Sequence, residues 1–538
     1  MMDSDLVYQR RWWTLGVLCL SLLLVVVGNT VLNVAIPTMT KTLGASQSQL
    51  EWIVDAYGLV FAGLLLTAGA LGDRYGRKGA LTIGLVIFGT GASLAALSHS
   101  ALGVTMSRAV MGVGAALVMP STLSILTNTF PPHERGRAIG IWAGLAGAGA
   151  AIGPITSGWL LGHFWWGSVF LINIPIVVVA VVAGHFLVPT SRDENHERLD
   201  PVGALLSIVG LGVLLYGLIE APNKGWASSQ TLGAFAIAAV ILGVFGWWEL
   251  RNPHPMLDLA FFKNPRFSAA CGAITFVFFA MFGLFFLFTQ YLQLVKGYSP
   301  LGAGVRTLPM AFTMMIVAPS SARLVERTSP RTIVTIGLST VAVGLLLMSR
   351  ANVGTGYPYL AFVLVVLASG MGLTMAPSTG SIMSSIPMSK AGVGSAMNDT
   401  TRELGGALGV AVLGSLLASR YNSHVAPVVR ALPANLRHAA TESLGQAIAI
   451  SHTLPGQAGV DLSLGARTAF AQGMTTALMV GASVALVAAG FVFRFLPAEQ
   501  SFERPGAAPA TPAAPAAVGD GAEGEAALNA AKAAALEP

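Results

Sequence analysis

Six side chains carry a formal charge inside stretches that are otherwise almost wholly apolar: Asp55, Arg108, Arg306, Asp399, Arg402 and Glu403. A charge in hydrocarbon costs about 2.5–3.5 kcal/mol on insertion scales, so charges placed there are candidates for moving protons or ions. A carboxylate with no firm partner in such surroundings favours its neutral form, which lets it take up and return a proton under cellular conditions. Asp399 and Glu403 are four residues apart and share a helical face. Arg402 lies between them, and a static bridge from it to one or both acids is the competing reading, since structural ion pairs also occur inside bundles. Asp55 and Arg108 fall in the outer thirds of their stretches, where they can pair across a bundle.

These groups need elements long enough to bury them. Of 538 residues, 54% are apolar and 10% charged, with a mean hydropathy of +0.70. Such a chain cannot divide into apolar core and charged surface, and lipid must solvate most of it. Crossing the hydrocarbon takes about 20 apolar residues per helix, and fourteen runs of that size lie between 13–36 and 472–495. The thirteenth must begin near Ala391, because a helix starting after Glu403 is too short before Arg420; Asn398 to Glu403 then fall near mid-membrane. The expected fold is an all-α integral membrane protein with 14 transmembrane helices, two six-helix bundles plus two inserted helices.

Short loops on one side of these runs hold fourteen Lys and Arg against four on the other, which places both termini in the cytoplasm. The layout is then a cytoplasmic amino terminus at 1–12, a bundle at 13–190, a linker with two accessory helices at 191–250, a second bundle at 251–495 and a disordered tail at 496–538. Within the second bundle, 420–471 forms an outer loop with an amphipathic helix expected around Leu436 to Ile450. A shift of 253 residues lays Asp73-Arg74 on Glu326-Arg327 and Thr82-Ile83-Gly84 on Thr335-Ile336-Gly337. Gly112 and Gly114 then fall opposite Gly370 and Gly372 after a short gap. Parallel repeats of this kind are what alternating-access transporters are built from.

Residues 69 to 78 form a charged turn between two apolar runs, with Asp73, Arg74, Arg77 and Lys78 set among Gly69, Gly72 and Gly76. The glycines permit a tight turn and close backbone approach, and the acid can latch one half to the other through a salt bridge or a helix N-terminus. A loop that only sets topology needs no such order. The fifth run carries Gly149, Gly153, Pro154 and Gly158, suited to close helix contact and a bend. Asn33, Tyr57, Arg306, Phe282, Gln290 and Asn398 are the candidates to line a substrate cavity.

The string Gly-x-x-Gly-Asp-Arg-x-Gly-Arg-Lys resembles the signature of the major facilitator superfamily between its second and third spans. Arg108 with Gly112 and Gly114, the fifth-span series with Ser157 where a glycine is usual, and Asn33-Val34-Ala35-Ile36-Pro37 resemble motifs of its drug:proton antiporter family with fourteen spans. The resemblance covers about residues 13 to 495 and implies two bundles of major facilitator type, a conformational switch at 69–78 and an antiporter motif in the fifth span. Many relatives carry an acid shortly before the first-span asparagine; this chain has Gly28 and Asn29, so Asp55 is the suggested substitute.

The function expected is proton-coupled efflux of lipophilic, cationic drugs, driven by the proton gradient with no cofactor, by a monomer in the cell membrane in contact with small-molecule substrates, protons and lipids. Export of one dedicated compound, such as an antibiotic, lipid or siderophore, stays open, because cavity breadth is a matter of shape. A membrane enzyme or ATP-driven pump finds no support: there is no phosphate-binding loop, no nucleophile with base and orienter, and no metal-ligand spacing among the histidines. Nor is there a basic patch for nucleic acid, and Cys19 and Cys271 both fall within spans.

Overall fold

The computed structural model describes residues 4–32, 35, 39, 42–43, 47–192 and 200–498. Asn33, the charged segment 191–198 from residue 193 on, and nearly all of the expected tail lie outside the described residues. Fourteen helices among the described residues are long and apolar enough to cross a membrane, and no strand occurs among them. We number them α1 (Ser4–Thr30), α2 (Gln47–Tyr75), α3 (Arg77–Leu97), α4 (Ala101–Thr129), α5 (Pro132–His163), α6 (Ser168–Leu187), α7 (Pro201–Lys224), α8 (Ser229–Glu249), α9 (Pro265–Gln290), α10 (Leu308–Arg327), α11 (Pro330–Met348), α12 (Tyr357–Ser384), α13 (Ala391–Val425) and α14 (Gln457–Phe495). An even number of crossings brings both ends of the set to one face, here called the terminal face.

Two large apolar cores form, one drawn mainly from residues 15–188 and one from 267–496, so α1–α6 and α9–α14 each pack around their own interior. Outward rows such as Val178, Val179, Val182 and Phe186 on α6 stay exposed, as expected where lipid is the solvent. The inserted pair packs elsewhere. Leu215 and Leu218 of α7 meet Ala62 of α2 and the stretch Leu404 to Leu408 of α13, and Leu211 meets Leu66, Val393 and Ala396. Helix α7 therefore lies along the seam between the two bundles.

The internal repeat has a structural counterpart. A Cβ on Gly114 would sit 2.6 Å from Gly84 O, and one on Gly370 would sit 2.6 Å from Gly337 O, so the same close crossing joins α3 to α4 and α11 to α12. That pairs Gly114 with Gly370, a shift of 256, and not Gly112 with Gly370 as the short match suggested. Gly112 and Gly372 each face another neighbour, Tyr57 on α2 and Val317 on α10.

Three element boundaries differ from expectation. Helix α1 starts at Ser4 rather than 13, because Arg11 on its early turns bonds Glu134 of α5 at 2.6 and 3.0 Å and carries the helix past the apolar run. Helix α14 starts at Gln457 rather than 472, with Leu462, Ala466 and Phe470 buried in the second core and Gly459 against Ser451 O; the outer segment before it folds as two short helices, Ala434–Glu442 and Leu444–Ser451. The single amphipathic helix expected near 436–450 is those two helices: the Ser443 side chain accepts from Gln446 N and starts a new one.

Candidate functional site

At the terminal face, Asp73 closes the seam between the bundles. Its carboxylate accepts from Arg77 Nε at 2.7 Å, from Gly392 N at 2.8 and 2.9 Å and from Val393 N at 3.1 Å. Gly392 and Val393 are among the first residues of α13, so an anion sits on the positive end of a helix whose first N–H groups have no intrahelical partner. Arg77 crosses as well, donating to Met388 O at 2.8 Å and Ser389 O at 3.0 Å. Gly69 and Gly392 lie back to back, where a Cβ on either would come within 2.5 Å of the other's carbonyl oxygen. Gly76, at φ 114°, provides the turn into α3. The remaining signature residues act locally: Gly72 meets only ordinary contacts, Arg74 lies over the Tyr75 ring, and Lys78 donates to His185 O at 2.7 Å.

Two to three turns into α13 the charged cluster resolves into unequal parts. Arg402 Nη1 donates to Asp399 Oδ1 at 3.2 Å, and Asn398 Nδ2 reaches the same oxygen at 3.3 Å while its own Oδ1 accepts from Thr379 Oγ1 at 2.9 Å. The guanidinium stands 4.7 Å from the Phe278 ring of α9 and 5.5 Å from the Trp142 ring of α5. Glu403 is half-buried and makes no hydrogen bond or ion pair with any described residue; Arg402, Asp399 and Tyr57 lie within its field. The static bridge thus holds for Asp399 and leaves out Glu403. Helix α13 comes close because it has glycine where α9 presents carbonyls: a Cβ on Gly405 or Gly409 would collide with Thr275 O or Phe279 O.

Asp55 and Arg108 do not form the pair expected of them. Arg108 is fully buried and gives Nε to Ile53 O at 3.2 Å and Nη1 to Gly28 O at 3.1 Å, while its Nη2 has no hydrogen-bond partner among the described residues and its guanidinium stands 4.3 Å from the Tyr57 ring. Asp55 reaches Arg108 only through the field, and itself lines a crevice with Trp52, Tyr216 and Glu220 against α7. Gly28 has a steric reason to lack a side chain: its Cβ would lie 2.6 Å from the Phe88 ring.

Of the cavity candidates, Tyr57, Asn398 and Phe282, which packs on Gly406, are near the centre. Arg306 is at the face opposite the termini, beside the Tyr298 and Tyr357 rings at 3.8 and 5.5 Å, and Gln290 caps its own helix through Phe286 O. In the fifth span, Gly149 abuts Val26, and Gly153 abuts Thr30 so closely that a Cβ would collide with its hydroxyl. Gly158 meets Leu301, Pro154 meets Gly304, and Gly140 and Gly144 meet Pro319 and Met314. Helix α5 is thereby clamped between α1 and the start and body of α10's segment, without room for solvent at those crossings.

The family model described as Major Facilitator Superfamily matches residues 18–410. The chain belongs to the major facilitator superfamily. This facilitator is 39% identical to the "Multidrug efflux pump LfrA" of Mycolicibacterium smegmatis over 90% of its own length and 96% of that protein's. It is 34% identical to the "Methyl viologen resistance protein SmvA" of Salmonella typhimurium, covering 91% of this chain and 99% of the relative. Among solved structures, the proton:xylose symporter XylE superposes with a TM-score of 0.58 at 15% identity, covering 91% of this chain and 96% of that one, which shows the fold. Membership places the facilitator among transporters, not enzymes.

Two site residues escaped the sequence reading. Trp142 is buried mid-helix with its indole N–H on Thr122 Oγ1 at 3.2 Å, far from the interfacial belts that tryptophan favours in membranes, and that position was the available signal. Gly392 carried no signal at all, since its role depends on a neighbour 319 positions away.

Proposed function

We propose that this facilitator exports lipophilic, cationic small molecules in exchange for protons, by alternating access, with Glu403 carrying the proton. The observation that supports this most is the isolation of Glu403: a carboxylate on a mid-membrane helix with no bonded partner among the described residues is free to change its protonation state. Asp399, held by Arg402, serves in this reading to place that arginine. Relatives named for multidrug efflux and methyl viologen resistance support organic-cation cargo. The proton gradient supplies the energy and no cofactor takes part.

The same reading puts a monomer in the plasma membrane with both chain ends in the cytoplasm, on the strength of fourteen basic loop residues against four. The Asp73 latch then closes the cytoplasmic gate, and the halves that rock are 13–190 and 251–495 with 191–250 inserted between them. The test is uptake of a fluorescent cation into inverted vesicles under an imposed pH gradient. Glu403→Gln is expected to abolish gradient-driven uptake while leaving cation binding in detergent intact. Full gradient-driven transport in that variant removes Glu403 from the mechanism, transport by the parent chain that ignores the gradient removes antiport, and activity on a single compound favours a dedicated exporter.

A further inference from the structure

The surroundings of Arg402 are those of a ligand site with the arginine as occupant. A guanidinium carries five N–H donors in a rigid fork, yet Arg402 makes one hydrogen bond, to Asp399 Oδ1 at 3.2 Å. Its charged head instead faces two aromatic rings, Phe278 at 4.7 Å and Trp142 at 5.5 Å. Arg402 retains 8% of its surface, so its remaining donors border accessible space rather than protein acceptors. Asp399 shows the matching deficit: it is 99% buried and its Oδ2 has no hydrogen-bond partner among the described residues. A cationic head within reach of two aromatic rings and bonded to a desolvated carboxylate is the arrangement in which organic cations are bound in water-poor sites.

The two rings also come from different halves, Trp142 from α5 and Phe278 from α9, so whatever lies between them sits on the seam that alternating access must open. We propose that Trp142, Phe278 and Asp399 form the binding site for a lipophilic organic cation, and that Arg402 fills it in the empty carrier as a tethered stand-in that the cargo displaces. This deepens the export reading and rests on it. Displacement frees the Arg402 head to turn toward Glu403, the only other acid of the cluster, which makes no bond to a described residue. Cargo occupancy and the charge state of Glu403 are then tied through one side chain.

The test uses the purified full-length chain in detergent and binding of methyltriphenylphosphonium. Removing the stand-in with Arg402→Gln should tighten binding by about tenfold or more, the scale of losing a tethered competitor, and Arg402→Lys, which keeps a shorter cation, should gain less. The discriminating variant is Arg402→Gln with Trp142→Leu: a gain that came only from removing a positive charge would survive loss of the ring, whereas a gain from vacating the site should disappear. Unchanged affinity in Arg402→Gln, or a gain indifferent to Trp142, overturns the proposal. Should Arg402→Gln fail to fold by size exclusion, Trp142→Leu and Asp399→Asn in the parent chain must each weaken binding, and wild-type affinity in both overturns it equally. If the parent chain neither binds nor exports the phosphonium, the export reading itself is at fault; if it exports the cation while these variants bind alike, only the stand-in is.

Discussion

Asp73→Asn isolates the latch with the least change of shape. In the closed arrangement Asp73 accepts from Gly392 N and Val393 N across the seam and from Arg77 Nε within its own half. The Arg77 contact survives opening, since both residues belong to the first bundle, so only the two backbone bonds and the charge on the α13 N-terminus distinguish closed from open. Hydrogen bonds to a charged group contribute about 1.5–3 kcal/mol each and the helix-end charge about 0.3–1. Asparagine keeps one acceptor oxygen and turns an amide toward the donors, so roughly half of this is lost, about 1.7–3.5 kcal/mol. At 1.36 kcal/mol per factor of ten, the open-to-closed ratio rises by about fifteenfold to a few hundredfold. Arg77 still holds Met388 O and Ser389 O, which is why the latch weakens rather than vanishes.

That change is readable as a labelling rate. Met383, in the last turn of α12, is 7% exposed and packs into the core of the first bundle, so Met383→Cys is shielded only while the terminal face is closed. Cys19 and Cys271 are replaced first, both being buried inside helices. While the closed state dominates, the rate of reaction with an impermeant maleimide on inverted vesicles is proportional to the open-to-closed ratio, so Asp73→Asn should speed labelling by at least about fifteenfold. A rate within about threefold of the parent means the carboxylate does not hold the seam, and the latch argument fails.

Two further outcomes follow from the geometry. Asp55→Asn should abolish proton-coupled efflux while the protein still reaches the membrane, if Asp55 shares the coupling role; undiminished drug resistance removes it and leaves Glu403 alone, as its field-only link to Arg108 would then explain. Gly153→Leu forces a branched side chain into Thr30, an overpacking that costs about 1–3 kcal/mol or more, so the variant should melt earlier and leak protons across the α1–α5 contact; normal melting with normal coupling refutes the seal.

The parts that were legible in the sequence are those written in local composition. Apolar runs of membrane length located all fourteen helices, and the order of charge and glycine at 69–78 marked the segment whose Asp73 reaches across the seam. What could not be read is what depends on backbone atoms of distant segments. Arg108 is neutral in its demands on sequence because carbonyls of Ile53 and Gly28 serve it, and every residue has a carbonyl. The repeat was detected but misregistered by two residues, since Gly112 and Gly114 are chemically alike and only the crossing with Gly84 tells them apart. The choice of Arg402 between two acids was left open, although spacing favours Asp399, an i,i+3 neighbour on the same face of α13, over the adjacent Glu403, which points away.

One helix carries both events that an exchanger must keep in step. The N-terminus of α13 is held by Asp73 of the first bundle at Gly392, and eleven residues on, roughly 16 Å along the axis at 1.5 Å per residue, the same helix presents Glu403. Between these points α13 touches both halves: Arg402 faces Trp142 of the first bundle, and Gly405 and Gly409 seat it against the carbonyls of α9 in the second. A helix pressed backbone to backbone on α9 has little freedom to slide there, so it moves with the second bundle as a rigid lever. Breaking the Asp73 contact then requires the whole helix to tilt, which necessarily carries Arg402 away from Trp142. The latch and the aromatic site cannot open independently, and that constraint, rather than any single ion pair, is what would make proton and cargo take turns.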